Sequence, residues 1–378
     1  MLRRAVRRGH ARTRSPTRAA AWLALAAASL GSLACSRGPT DGELDQWLEE
    51  ARAADREAIA AHGDDDERAR WTLTIVSPGG AETELRWPEL ERMAHTTIDT
   101  DLPPEGDVPR RARFRAVTLH DLLERVGGSA GHRDITLVAN DGFRATIEIA
   151  DVDAYPIGLA VEADGHPIDR ASGGPLFTVF PISAEPSLIE RYTSSWWVFY
   201  VTHVLLDTPP ARVRVIDERP GRDPTPHVLD EALLESLPRN QVTMGVGYRT
   251  GWPSEPVVLE GVLVRELVQA AGLVLGAGEQ VRVMTIAPLT RGELRPTVLT
   301  ADDVMLRPSM LARRWGAEGT AHDPGALLPI PARLGGPLAL AVPSDVQSRL
   351  GDRVWLTHVT DVVVQGPAAP GASTERAR

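Results

Sequence analysis

The chain of 378 residues has one cysteine and no lysine, so that each of its 41 basic residues is an arginine. A single cysteine excludes a disulfide framework, a cysteine-based zinc site and an iron–sulfur cluster. The lack of lysine excludes P-loop nucleotide hydrolases, pyridoxal-phosphate enzymes and Schiff-base chemistry, because each needs a lysine amine. The remaining composition is ordinary: 43% apolar and 24% charged residues suffice for one large or two medium-sized globular domains.

Residues 1–34 are predicted to be an export signal. They contain seven arginines and no acidic residue, and an apolar run extends from Ala19 to Leu33. Such a run is too short to span a bilayer, which takes roughly 20 residues, but it is typical of a secretory signal. Leu33-Ala34-Cys35 resembles the lipobox of bacterial lipoproteins, in which the cysteine is lipidated and becomes the mature N-terminus. We therefore expect lipidation at Cys35, with a plain secretory signal or twin-arginine export as alternatives.

The predicted location is the bacterial cell envelope, facing the periplasm. Loss of the seven signal arginines leaves 34 arginines against 51 acidic residues, a net charge of −17. A surface of that charge repels nucleic acid and anionic lipid headgroups, so we expect no nucleic-acid partner and membrane contact only through the lipid anchor. Residues 35–70 are polar and acidic and are interpreted as a tether, and residues 367–378 as a disordered tail.

The pattern of residues 71–208 recurs in residues 209–366. A period near 150 residues is far longer than a solenoid repeat and indicates domain duplication. The paired blocks, in order, are Phe114–Leu123 with Leu259–Val268, Ile135–Ile149 with Val281–Leu299, Leu159–Ala160 with Leu311–Ala312, Gly173–Leu176 with Gly335–Leu338, and Tyr200–Val204 with Trp355–Val359.

Each half is rich in strand patterns and carries one clear helix pattern, at Thr118–Val126 and at Leu263–Ala271. Helices and strands do not alternate as a doubly wound parallel sheet requires. The prediction is therefore an α+β fold of two tandem, mixed, strand-rich domains. The acidic, proline-rich stretch 207–226 is interpreted as the boundary between them.

The order of these motifs resembles the oxidoreductase molybdopterin-binding domain of the sulfite oxidase fold. The resemblance covers about residues 71–365. Its motifs are Ala116–Leu119, Asn140–Phe143 and Gly173–Leu176 in the first half, and Gly261–Leu263 and Gly335–Leu338 in the second.

This resemblance implies a pterin dithiolene cofactor whose molybdenum also takes a cysteine thiolate from the loop before the first motif. It further implies a histidine and an arginine around the glycine motif. The corresponding stretches, from Met93 onward and at Asn240–Gly247, contain no cysteine, and both Gly-Gly-Pro-Leu motifs lack the histidine and the arginine. We therefore expect no cofactor, no metal site and no catalytic residue, with molybdopterin bound without a thiolate as the alternative.

One segment of the first half is a candidate ligand cleft. Aromatic residues with an arginine could wall a pocket that pairs with an anion, and the Asn-Asp-Gly turn could face the same cleft. Alternating apolar residues over 197–201 equally predict a buried strand face. The candidate residues are Asn140, Asp141, Arg191, Tyr192 and Trp196.

Two histidines are candidates for a pH-sensitive role. His203 and His358 are aligned by the fifth block, and histidine is the side chain that titrates near neutral pH. If either controlled ligand release, binding would change between pH 6 and 7. The alternative is a half-buried histidine that donates to a carbonyl.

Three classes of function follow. The leading hypothesis is a non-catalytic envelope lipoprotein, a pseudoenzyme whose former cofactor cleft binds an unknown small ligand or an envelope protein. The second is a molybdopterin-dependent oxidoreductase without a cysteine ligand. The third is a structural or assembly lipoprotein in which one half is a docking surface for the other.

Overall fold

The computed structural model describes residues 68–101, 111–193, 196–246, 251–286, 297–318, 326–350 and 356–367. The predicted signal, the lipidation site and nearly all of the tether lie outside these residues, as does the tail from residue 368. All described residues belong to one compact unit, Ala54–Arg378. None of the helices described is both long enough and apolar enough to cross a membrane.

The first half contains two sheets. Sheet I has the order β2-β1-β10-β5-β6 and consists of β1 (Thr72–Val76), β2 (Glu82–Arg86), β5 (Asp134–Ala139), β6 (Arg144–Glu148) and β10 (Val201–Leu206). Sheet II has the order β3-β4-β7-β8, with β9 also paired to β7, and consists of β3 (Thr96–Asp101), β4 (Arg111–Thr118), β7 (Gly158–Ala163), β8 (His166–Pro167) and β9 (Phe177–Val179). The helices are α1 (Trp87–Met93), α2 (Leu119–Glu124), α3 (Ile149–Ala154), α4 (Leu188–Arg191) and the 3₁₀ turn η1 (Arg170–Ser172).

The second half contains two sheets with the same strand orders. Sheet III has the order β12-β11-β20-β15-β16 and consists of β11 (Val213–Asp217), β12 (His227–Leu229), β15 (Gln280–Thr285), β16 (Thr297–Thr300) and β20 (Val359–Gln365). Sheet IV consists of β13 (Asn240–Met244), β14 (Val257–Leu263), β17 (Met310–Ala317), β18 (Leu328–Pro329) and β19 (Ala339–Ala341). The helices are α5 (Glu231–Ser236), α6 (Val264–Ala270), α7 (Ala301–Met305), α8 (Ser344–Leu350) and the 3₁₀ turn η2 (Ala332–Leu334).

These four mixed, strand-rich sheets confirm the predicted α+β class. In sheet I, β1 runs parallel to β10, and in sheet III, β11 runs parallel to β20. The other pairs in the two sheets are antiparallel. A parallel pair needs a long crossover connection, and here everything between the first and last strand of each half provides it.

The two predicted helices form where strands β4 and β14 end. Thr118 begins α2 as its N-cap, because its hydroxyl accepts a hydrogen bond from the Asp121 N–H at 3.0 Å. Leu119, Leu122 and Leu123 are the buried face of this helix. Both helices are confirmed, each shorter than the sequence pattern suggests.

The connection between the two halves is shorter than the predicted boundary stretch, residues 207–226. Sheet I ends at Leu206, and β11 already begins at Val213, inside that stretch. Val213 and Val215 are fully buried, because β11 pairs with both β12 and β20. The stretch therefore contains a core strand, whose last residue is the acidic Asp217.

The fifth sequence block is three residues out of register. The N–H groups of Tyr200 and His358 donate to the carbonyls of Gly173 and Gly335, and both residues have positive φ, 55° and 51°. His358 therefore corresponds to Tyr200, at an offset of 158 residues. The predicted equivalence of His203 and His358 is wrong.

Each half has its own apolar core, and a smaller cluster joins the halves. The first core lies between sheets I and II, and the second half has two clusters around sheets III and IV. In the joining cluster, Val76, Val138 and Leu205 of sheet I pack with Ala332 of η2 and with Ile286. The halves therefore share buried apolar surface.

Candidate functional site

The two Gly-Gly-Pro loops follow η1 and η2 and have the same backbone geometry. Gly173 and Gly335 are left-handed, with φ of 93° and 95°, and each precedes a glycine that is joined to proline by a cis peptide bond. A Cβ at Gly173 would lie 2.2 Å from the Phe199 ring, and a Cβ at Gly335 would lie 2.3 Å from the Thr357 methyl. The space beside each glycine is thus filled by the chain's own side chain.

The second glycine of each loop lies against backbone. A Cβ at Gly174 would be 2.1 Å from the Ile168 carbonyl oxygen, and at Gly336 it would be 1.7 Å from the Ile330 carbonyl oxygen. Real Cβ atoms do not approach oxygen this closely, so only glycine fits at either position. Packing inside each half explains why the two loops share the same backbone geometry.

Arg170 is the first residue of η1, the 3₁₀ turn that leads into the loop of the first half. Its side chain is buried, and its guanidinium lies 5.2 Å from the centre of the Tyr200 ring. The Tyr200 hydroxyl donates a hydrogen bond of 2.8 Å to the Arg170 carbonyl. This arginine is therefore stacked on the chain's own aromatic ring.

Arg191 and Tyr192 of the predicted cleft bind one carboxylate, that of Asp151. The Tyr192 hydroxyl donates to Asp151 Oδ2 at 2.5 Å, and Arg191 Nη1 donates to the same oxygen at 2.6 Å. Asp151 and Tyr192 are both buried, whereas the Arg191 side chain is 45% exposed. Burial and the bond to Asp151 raise the pKa of the Tyr192 hydroxyl, which stays protonated and donates. The group fastens α4 to α3.

The neighbouring tryptophans take part in the core. Trp196 Nε1 donates to the Thr146 carbonyl at 2.9 Å, and its ring contacts Tyr192 edge to face. Trp197 is 2% exposed and stacks on Phe177. Of the two interpretations of this segment, the structure favours the buried core.

Asn140 and Asp141 lie just before β6, at the end of this strand that is distant from Tyr192. They form the turn between β5 and β6, where the Asp141 carboxylate accepts a 2.8 Å hydrogen bond from the Phe143 N–H. Tyr192 contacts the Glu148 N–H at the far end of the strand, about 16 Å away at the usual rise per residue. The hypothesis of one cleft that contains all five residues is therefore wrong.

His358 is buried and His203 is half-buried, and both lie near the contact between the halves. Nδ1 of His358 donates to the Gly336 carbonyl at 2.8 Å, and Nε2 is buried with no hydrogen-bond partner among the described residues. Burial lowers the pKa of His358 to about 3, helped by the charge of Arg144, and lowers the pKa of His203 to about 4. Both imidazoles are neutral at pH 6–7, so neither histidine changes its charge in that range.

The described residues do not fit a molybdenum-bearing pterin. The chain's one cysteine is Cys35, which precedes both halves, so neither half supplies a thiolate. The space beside the loop glycines is filled by Phe199 and Thr357. Among the described residues, no three histidine, cysteine, aspartate or glutamate side chains are grouped so that they could hold a metal.

A cleft of about 300 Å³ lies between the connection of the halves and sheet IV. Small-molecule sites in proteins have volumes from roughly this size upward. Its walls carry five proline rings and Ile330, and its charged residues are two arginines and two glutamates. The lining residues are Pro78, Thr208, Pro209, Pro210, Ala211, Glu231, Glu235, Arg313, Arg314, Pro329, Ile330 and Pro337.

The charged residues of this cleft are arranged around Glu235. Arg313 and Arg314 each place Nη2 at 3.2 Å from Glu235 Oε1, and Arg239 donates to Oε2 at 2.8 Å. Burial alone would raise the pKa of Glu235, but Arg313 and Arg314 outweigh it and hold that pKa below its usual value. Glu235 is therefore an anion that orients three guanidinium groups.

Arg313 and Arg314 were not among the residues singled out from the sequence. The third block pairs Leu159–Ala160 with Leu311–Ala312, and the next residue along is Val161 in one half and Arg313 in the other. The signal available in the sequence was an arginine in the second half at the position where the first half has a valine. Its meaning depends on burial, which the sequence does not contain.

Comparison with known proteins agrees with this architecture. The fold defines an α+β protein of mixed sheets, and residues 60–184 match the family described as "Oxidoreductase molybdopterin binding domain". This segment, about a third of the chain, is similar to a molybdopterin-binding oxidoreductase domain.

The other comparisons add little. No curated protein matches the chain. The solved structures that match include "Crystal Structure of the Sulfane Dehydrogenase SoxCD from Paracoccus pantotrophus", which is 12% identical, with 80% of this chain and 79% of that chain covered and a TM-score of 0.31.

Proposed function

We propose that this chain is a non-catalytic, lipid-anchored protein of the bacterial cell envelope that binds a small ligand or an envelope protein. The observation that carries the proposal is the position of the only cysteine. Cys35 lies in the signal region, so the molybdopterin-type domain has no thiolate for molybdenum, a metal that takes this soft ligand.

The packing of the two glycine loops supports this proposal. In each half the chain's own side chain occupies the space beside the first glycine. In a protein that has kept the fold but filled the cofactor site with its own side chains, the glycines would be needed only for packing. The repeated strand order supports the further proposal that residues 71–208 and 209–366 are tandem copies of one domain.

The alternative is a molybdopterin-dependent oxidoreductase that holds its cofactor without a cysteine ligand. The match of residues 60–184 to a molybdopterin-binding family favours it. A third proposal, a purely structural or assembly lipoprotein, is favoured by the buried contact between the halves.

Molybdenum analysis separates these proposals. The full-length protein is produced in a molybdate-fed bacterial host, and its metal is measured by elemental mass spectrometry together with pterin fluorescence of the denatured extract. We expect neither metal nor pterin. Near-stoichiometric molybdenum or pterin would overturn the non-catalytic proposal and establish the alternative.

The lipid anchor is tested separately. We expect the wild-type protein to incorporate radiolabelled palmitate and to enter the detergent phase on Triton X-114 partitioning. The Cys35→Ser variant should lose both properties. Labelling that persists in this variant would refute lipidation at Cys35.

A further inference from the structure

Arg313 occupies a bulge that both halves share. In sheet IV, Glu260 pairs with Arg314 and Gly261 with Ala312, so that Arg313 is the extra residue with no partner across the strands. A bulge of this kind redirects a side chain, and it lets Arg313 and Arg314 reach the same cleft.

The first half has an apolar residue at the same bulge. In sheet II, Arg115 pairs with Glu162 and Ala116 with Ala160, which makes Val161 the extra residue, and Val161 is fully buried. The fold therefore accepts a valine here. The Arg313 side chain is only 11% exposed, and removing a guanidinium from water is costly unless it gains partners.

Arg313 has one donor without an acceptor among the described residues. Its Nη2 contacts Glu235, but its buried Nε–H has no acceptor among the described residues. Buried donors in proteins are almost always bonded, so the guanidinium of Arg313, which lines the cleft, is under-satisfied and gains from a further acceptor. A carboxylate takes the paired N–H groups of a guanidinium well.

The same cleft contains a carboxylate that can accept hydrogen bonds from a further donor. Glu231 is 56% exposed, and its nearest contact in the cleft is Arg313 Nη2 at 3.5 Å. Two arginines and two glutamates balance in charge, so a simple anion gains little from the field of the whole cleft. A ligand that carries both charges can pair with Arg313 and with Glu231.

The walls favour an apolar body on such a ligand. Five of the lining residues are prolines, whose rings offer apolar surface and whose backbone has no N–H to donate. The polar recognition in this cleft is therefore concentrated on the arginine and glutamate side chains.

We propose that this cleft binds a small amino-acid-like zwitterion, with its carboxylate on Arg313, its ammonium on Glu231 and its apolar body against the proline rings. This inference rests on the proposed function, because it names the ligand class of a binding protein.

Isothermal titration calorimetry on the full-length protein in detergent tests the proposal with three matched probes. L-Phenylalanine carries both charges, 3-phenylpropanoate only the carboxylate, and 2-phenylethylammonium only the amine. We expect saturable binding of L-phenylalanine and at least tenfold weaker binding of the other two. Absence of L-phenylalanine binding, or equal binding of 3-phenylpropanoate, would overturn the zwitterion site.

Variants locate the site. Arg313→Val copies the residue of the first half, so it should fold with an unchanged or higher Tm and lose L-phenylalanine binding at least tenfold. Glu231→Gln changes a half-exposed residue and should weaken L-phenylalanine at least fivefold while leaving 3-phenylpropanoate unchanged. Arg307→Gln, an exposed arginine outside the cleft, is the matched control and should bind as wild type does. Wild-type affinity in both cleft variants would refute the assignment.

The molybdenum measurement keeps the two proposals apart. A protein free of molybdenum and pterin that also fails to bind L-phenylalanine would refute the cleft assignment alone. A molybdenum-loaded protein would refute the non-catalytic function, whatever the cleft binds.

Discussion

The cluster of Asp151, Arg191 and Tyr192 yields the sharpest stability prediction, because a core role and a pocket role predict opposite results. Tyr192→Phe removes one hydrogen bond to a buried carboxylate and leaves the ring stacked on Phe180. Hydrogen bonds to charged groups contribute roughly 1.5–3 kcal/mol to stability, so we expect a loss in that range.

The partner substitutions set the scale of the effect. Asp151→Ala leaves the buried Tyr192 hydroxyl without its carboxylate, which costs about 1–3 kcal/mol. Arg191→Gln should cost less than either of these substitutions, because this side chain is 45% exposed and solvent screens its ion pair. In a double-mutant cycle, Tyr192→Phe and Asp151→Ala should be coupled by about 1.5–3 kcal/mol, within the usual range for contacting residues.

The assay is urea unfolding followed by tryptophan fluorescence, with free energies from linear extrapolation. Leu306→Ala, at a side chain that is 73% exposed, is the control and should change stability little. A Tyr192→Phe variant whose unfolding free energy differs from wild type by less than about 0.5 kcal/mol would refute the core role.

Two further predictions concern the glycine loop and the half-buried His203. Gly335→Ala should destabilise the protein by about 2–5 kcal/mol, because alanine disfavours the left-handed backbone at this position and its Cβ collides with Thr357. In a Thr357→Gly background the collision is absent, so the same substitution should cost only the backbone strain, about 1–2 kcal/mol. Equal losses in both backgrounds, measured by urea unfolding, would contradict the packing explanation. The pKa of His203 is lowered to about 4 in the folded protein, so the unfolded chain takes up the proton first as the pH falls. The free energy of unfolding should therefore be highest above pH 6.5 and fall by about 3 kcal/mol between pH 6.5 and 4. His203→Gln should flatten that part of the stability–pH curve, and an unchanged slope between pH 6.5 and 4 would show that His203 is not buried as a neutral group.

The contact between the halves has a physical asymmetry. Sheet I presents Val76, Val138 and Leu205 to the second half. At the corresponding places sheet III has Ile216, Met284 and Val363, beside an ion pair in which Arg214 donates to Asp361 at 2.6 Å. The Arg214 side chain is 50% exposed, and burying this pair would require its desolvation. The face of sheet I is apolar at these places, whereas its counterpart in sheet III carries an ion pair.

Local sequence patterns predicted the elements correctly. The Thr118 cap and the apolar spacing that follows it act within one helical turn, so the helix after β4 was readable from the chain, and so was its counterpart after β14. The alternation of β4 and the repeated Gly-Gly-Pro motif likewise depend on neighbouring residues. They were enough for the α+β class and for the order of the repeated blocks.

The tertiary structure decided the relations between distant residues. The register of β20 depends on hydrogen bonds from His358 and Val359 to Gly335 and Leu338, more than 20 residues earlier, so the match of Thr-His in both halves misled the alignment. Asn140 and Tyr192 were separated because β6 is extended, with about 3.3 Å of rise per residue. Arg313 could be recognised only in three dimensions, because composition and spacing do not reveal which arginine is buried in a bulge beside an open cleft.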